Sequence, residues 1–142
     1  MRGEVLLPAH PARTVSGPIL RLAGPISFWG GVSPEDGRLS DPRSAQHGAL
    51  IAGTVLCIAE LRGSSSASSV LLELIYKGLA PAAIVLDAPD AILALGAFVA
   101  REMGWPTPVL IRLSASEQAN VADGILVRID AKGRISADDG CS

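Results

Sequence analysis

Five of the six residues 64–69 are serine, and they follow directly on Arg62-Gly63. The run Thr54-Val55-Leu56-Cys57-Ile58-Ala59 before them reads as a buried strand, and Val70-Leu71-Leu72-Glu73-Leu74-Ile75 after them opens an amphipathic helix. Hydroxyls and unpaired backbone N–H groups therefore collect at a helix N-terminus, whose partial positive charge favours a carboxylate, phosphate or oxyanion. Arg62 adds a permanent cation with a planar fork suited to carboxylate. Serine repetition also suits a flexible linker, but a linker rarely sits flush between two strongly apolar elements.

A serine nucleophile or base needs a partner, and the chain has only His10 and His47, neither in a triad signature. His10, between Pro8 and Pro11, reads as a turn residue. His47 lies in a long polar loop, where it is either simply exposed or a contact for substrate or partner. The sequence contains no CxxC, no HxxxH and no acidic EF-hand loop. Its two cysteines, Cys57 and Cys141, read as free thiols and are too few to hold an iron–sulfur cluster in this chain alone. Phe28-Trp29-Gly30-Gly31 stands out because aromatics make up only 4% of the residues. It is either core packing at a strand end or a contact with substrate or partner, with paired glycines permitting close backbone approach. An anion-receptive loop without its own metal, cofactor or base is half a site. Half a site implies a second chain.

The elements that must position these residues follow from hydrophobic patterning. Residues 2–7 and about 12–22 alternate as strands, and the polar stretch from Ser33 to Gly48 is the longest non-periodic region, with Asp36-Gly37 a turn. A strand over 53–59 and a helix over 68–79 flank the serine loop, with Leu71, Leu74, Ile75 and Leu79 on one helical face. A second unit repeats the style. Ala82-Ala83-Ile84-Val85-Leu86 is a buried strand, and Asp87 or Asp90 caps a helix whose stripe is Ile92, Leu95, Phe98 and Val99 and which ends by Gly104. Pro108-Val109-Leu110-Ile111 is a third strand. Ile125-Leu126-Val127-Arg128-Ile129 and Ile135 flank a hairpin turn at Asp130-Ala131-Lys132-Gly133, and the tail from about 136 to 142 reads as flexible. The fold class is α/β: a short parallel α/β core with antiparallel strands from both termini. Its active loops belong at the carboxyl ends of the strands, where residues 62–66 fall.

The chain has 142 residues, which suits one domain able to bury roughly 70% of its unfolded surface. With 18% charged residues and a formal net charge of −2, it carries no basic field for nucleic acid. No apolar stretch reaches the length of a membrane span and no signal-peptide layout is present, so a cytoplasmic protein is expected.

With these residues in view, the sequence resembles the small subunit, or swivel domain, of the aconitase X family of dehydratases. The pieces that carry the likeness, in order, are Gly24-Pro25-Ile26-Ser27-Phe28-Trp29-Gly30-Gly31-Val32, Pro34-Glu35-Asp36-Gly37, the segment 48–53, and Arg62-Gly63-Ser64-Ser65-Ser66. The resemblance covers most of residues 1–135 and implies a swivelling β/β/α domain that closes over a site shared with a large subunit. That subunit would carry the iron or iron–sulfur centre and most ligands of a small carboxylate substrate. It implies Ser64 as the base that removes the substrate proton, with Ser65 as second choice, and Arg62, Gly63, Ser65 and Ser66 as substrate-binding residues. Family activities divide between cis-3-hydroxy-L-proline dehydration and phosphomevalonate dehydration. The serine run and the paucity of lysines, Lys77 and Lys132 alone, favour the former, yielding a pyrroline-2-carboxylate. Two readings of another class remain: a non-catalytic anion-binding module, and a swivelling carrier domain dependent on His47.

Overall fold

Val55-Leu56-Cys57-Ile58 and Ala83-Ile84-Val85-Leu86 are apolar at every position because their strands are buried on both faces. The computed structural model describes residues 1–138. Seven strands form one sheet: β1 (Glu4–Leu7), β2 (Val15–Arg21), β5 (Val55–Ile58), β6 (Ala83–Leu86), β7 (Val109–Arg112), β8 (Leu126–Ile129) and β9 (Ile135–Ala137), while β3 (Val32–Ser33) pairs separately with β4 (Arg38–Leu39). The order is β1-β7-β6-β5-β2-β8-β9. The four central strands are parallel, and β1, β8 and β9 add antiparallel margins from the two ends of the chain. Gly3 N–H donates to the Gly133 carbonyl and Ile135 N–H to that of Met1, both at 2.8 Å, so the first and last strands meet and the sheet curls on itself. Meeting edges leave fewer backbone groups unpaired.

Successive side chains alternate between two cores, as strand geometry requires. Leu56, Ile58, Ile84, Leu86 and Leu110 face the helices α2 (Ala67–Lys77) and α3 (Ala91–Glu102). Val55, Cys57, Val85 and Ile111 fill the inside of the curl with Val15, Ile19, Val127 and Ile129. Burial there pushes the free Cys57 thiol up to about 12, which keeps it protonated and inert.

Several local expectations are narrowed or overturned. Asp90, not Asp87, caps α3 by accepting from Leu93 N–H at 2.9 Å, while Asp87 accepts from Ala115 N–H at 2.7 Å. That bond helps start α4 (Ala115–Gln118), a short helix whose capping box, Ser114 with Glu117, is spelled out in the sequence. The stretch read as non-periodic contains the β3–β4 hairpin, which turns at Asp36-Gly37. Ser136 and Ala137, placed in a flexible tail, instead pair with Arg128 and Val127, and residues 139–142, Cys141 among them, lie outside the described residues.

The largest difference is on α3. Of the stripe expected to face the core, Leu95 and Phe98 are 52% and 50% exposed and Val99 is exposed too; only Ile92 packs against the interior. The buried face is Leu93, Gly96, Ala97 and Ala100. The reason is close packing against α2: a Cβ on Gly96 would lie 2.7 Å from the Ser68 carbonyl oxygen, so only small residues fit between the helices. Gly96→Ala is therefore expected to lower stability by about 1–3 kcal/mol through overpacking, although alanine is the better helix former. Chemical denaturation checks this; a stability gain would mean that the helices tolerate more separation.

Candidate active site

At the carboxyl end of β5 the chain runs beside residues 25–27. Ile26 N–H donates to the Glu60 carbonyl at 3.2 Å, and Arg62 N–H donates to that of Ile26 at 2.8 Å. This short parallel pairing brings the Phe28–Gly31 turn, α1, next to Arg62. Trp29 (φ −76°, ψ 118°) and Gly30 (φ 82°, ψ −20°) have the angles of a type II turn, whose second central position favours glycine. The turn splits the two aromatic rings. Phe28 is wholly buried in the core, and Trp29 is 64% exposed.

The loop after β4 is tied down on both sides of this turn. Ser40 donates its N–H to the Gly31 carbonyl at 3.0 Å and its hydroxyl to the Gly30 carbonyl at 3.1 Å. Further on, the Gln46 side-chain amide donates to the Arg21 carbonyl at 2.7 Å, and its oxygen accepts from Ala23 N–H at 2.9 Å. Asp41 and Arg43, held between these anchors, make an ion pair with an Nε–Oδ1 distance of 3.2 Å. Arg43's side-chain and backbone hydrogen bonds hold the Asp41 carboxyl below its ordinary value, and Arg62 adds to the effect. Two adjoining depressions of about 380 and 320 Å³ share Pro25, Asp41, Arg43 and Arg62; the smaller also includes Trp29, Gly30 and Gly31.

The serine run turns into α2. Ser66 occupies the N-cap position but makes no side-chain capping bond. Ser64 Oγ accepts from Ser66 N–H at 3.2 Å, and the Ser64 carbonyl accepts from Ala67 N–H at 3.1 Å. Ser64 is half-buried and Ser65 exposed. A Cβ on Gly63 would meet open space, so no packing among the described residues demands glycine there.

Trp29, Gly30, Gly31 and Arg62 thus share one depression, with Ser64, Ser65 and Ser66 following in the adjacent helix start rather than lining it. His47 is exposed and lines neither depression; its backbone N–H donates to the Ser44 carbonyl at 3.2 Å. Asp41 and Arg43 were not singled out from the sequence. Asp41-Pro42-Arg43-Ser44 carries a recognisable turn signal, but nothing local says that the turn faces Arg62. Among the described residues no three His, Cys, Asp or Glu side chains converge as metal ligands, and no helix is long and apolar enough to cross a membrane. With Cys57 sealed inside the curl, the residues at this site do not fit an iron centre of their own.

The profile of the aconitase X swivel domain matches residues 7–137. The chain belongs to the aconitase X swivel-domain family. The swivel domain is 44% identical over 122 residues to cis-3-hydroxy-L-proline dehydratase of Pseudomonas aeruginosa, covering 81% of this chain and 21% of that protein. It therefore spans about a fifth of the length of that relative. It is 36% identical over 108 residues to the phosphomevalonate dehydratase small subunit of Pyrococcus furiosus, covering 76% of this chain and 75% of that subunit. Among solved structures, the holo-form of Thermococcus kodakaraensis aconitase X superposes with a TM-score of 0.80 at 27% identity, covering 97% of each chain. The α/β architecture read from the sequence, parallel in the middle and antiparallel at its margins, is that of aconitase X.

Proposed function

We propose that this swivel domain is the small subunit of an aconitase X-type dehydratase that acts on cis-3-hydroxy-L-proline, at a site shared with a larger chain. The observation that carries the reading is the placement of Ser64 Oγ as acceptor of the Ser66 N–H at the start of α2, two residues beyond Arg62. A serine hydroxyl is a poor base until its alkoxide is stabilised, and preorganised backbone donors at a helix start supply that field. In this reading Ser64 removes the proton α to the substrate carboxylate. The Arg62 guanidinium holds that carboxylate and offsets the charge that grows on it as the C–H bond breaks. The iron centre general to the family belongs, in this reading, to the larger chain.

Phosphomevalonate is the second substrate reading, supported by the similarity to archaeal small subunits. The two lysines weaken it: Lys77 is paired with Glu73 at 3.0 Å on α2, and Lys132 sits in the β8–β9 turn, so neither provides a phosphate clamp at the site. The test is reconstitution with the larger dehydratase-like chain from the same genome. The pair is expected to dehydrate cis-3-hydroxy-L-proline and leave phosphomevalonate untouched, with iron following the larger chain. The reverse preference would reassign the substrate. Turnover by this chain alone would overturn the shared site, and anion binding without any dehydration would return it to a binding module.

A further inference from the structure

Arg62 and Arg43 both line the same two depressions, yet they differ in how they are held. The Arg62 side chain has no hydrogen-bond or ion-pair partner among the described residues, and it is exposed. Arg43 is 83% exposed at its side chain, but its Nε and one terminal nitrogen are engaged by Asp41, at 3.2 and 3.3 Å. Asp41 is only 23% exposed and is itself fixed, accepting from Arg43 N–H at 2.9 Å while its carbonyl accepts from Ser44 N–H at 3.1 Å. The bonds from Ser40 to Gly30 and Gly31, and from Gln46 to Arg21 and Ala23, fix the whole loop in place. A solvated arginine on a free loop needs none of this.

We infer that Arg43 and Arg62 together form the carboxylate-recognition site that this chain contributes, with Asp41 as the positioning residue that aims Arg43. The inference rests on the dehydratase reading above and extends it to residues that the sequence did not reveal. The chemistry favours it in two ways. Two guanidinium groups and one carboxylate at the same depressions leave a local charge of about +1, matched to a monocarboxylate. The grip of Asp41 on Nε and one terminal nitrogen leaves the other terminal N–H groups of Arg43 free. An incoming carboxylate can bond to those without displacing Asp41.

The test is steady-state kinetics of the reconstituted enzyme. Losing one charge-assisted contact should raise KM by about ten- to a hundredfold in Arg43→Ala while kcat changes by less than about threefold. Arg43→Lys should rescue little, because an ammonium group cannot be aimed through a planar fork. Asp41→Asn should raise KM in the same direction, and the Asp41→Asn/Arg43→Ala double variant should be no worse than Arg43→Ala alone, because Asp41 acts through Arg43. An unchanged KM in Arg43→Ala overturns the site, and additive effects in the double variant overturn the role given to Asp41. If the unsubstituted pair dehydrates neither substrate, the dehydratase reading falls, and an NMR titration of the full chain still decides the site. Acetate should then shift the Nε–H signals of both Arg43 and Arg62, and Arg62→Ala should abolish the response at Arg43. No response, or a stronger one to inorganic phosphate, overturns carboxylate recognition.

Discussion

Ser64→Ala is expected to reduce turnover of the reconstituted dehydratase by a factor of about 10² to 10⁴, the usual cost of losing a proton-transfer group. The fold should hardly notice. Among the described residues Ser64 Oγ has a single partner, the Ser66 N–H at 3.2 Å, and the helix keeps its first backbone bonds, from Ala67 N–H to Ser64 and from Val70 N–H to Ser66. The stability change is therefore about 1 kcal/mol or less. Ser65→Ala and Ser66→Ala are the comparison. Ser65 is exposed and Ser66 makes no side-chain cap, so each should alter turnover far less than Ser64→Ala does. Turnover and substrate affinity must be measured separately. An equal, mild loss of affinity across all three serines would mean that the loop only binds and that the base lies elsewhere.

The neighbouring aromatics should respond in opposite ways. Phe28 is wholly buried among Leu22, Ile26, Val32 and the rest of the helix-side core, so Phe28→Ala should cost about 3–5 kcal/mol. For a domain of this size the melting temperature would fall by on the order of 10–20 °C. Trp29, at 64% exposure, has little packing to lose. Trp29→Ala should leave the melting temperature nearly unchanged and weaken association with the larger chain or turnover. Calorimetry of the free chain and titration of the complex separate the two effects. A large loss of melting temperature in Trp29→Ala, with the complex unimpaired, would return both rings to the core.

The sequence by itself determined the features whose cause is local. Strands β5 and β6 were legible because a strand buried on both faces must be apolar throughout. The start of α2 was legible because serines gather where strand patterning gives way to helical patterning, and Arg62-Gly63-Ser64 stands at that junction for the same reason. The two ends of the chain were readable as antiparallel strands from their alternation, although not that β1 and β9 would meet across the curl.

Tertiary structure decided what depends on a neighbour's backbone. On α3 a stripe of large apolar residues and a stripe of small ones lie side by side, and hydrophobic periodicity favours the large ones. The close approach of Ser68 to Gly96 selects the small ones and turns Leu95 and Phe98 outward. Phe28 and Trp29 were equivalent as letters until positive φ at Gly30 sent one inward and left the other exposed. Asp41 and Arg43 carry only a turn signal in the sequence. They reach Arg62 because Ser40 and Gln46 tie their loop to α1 and to the end of β2, through bonds between segments that no local pattern connects.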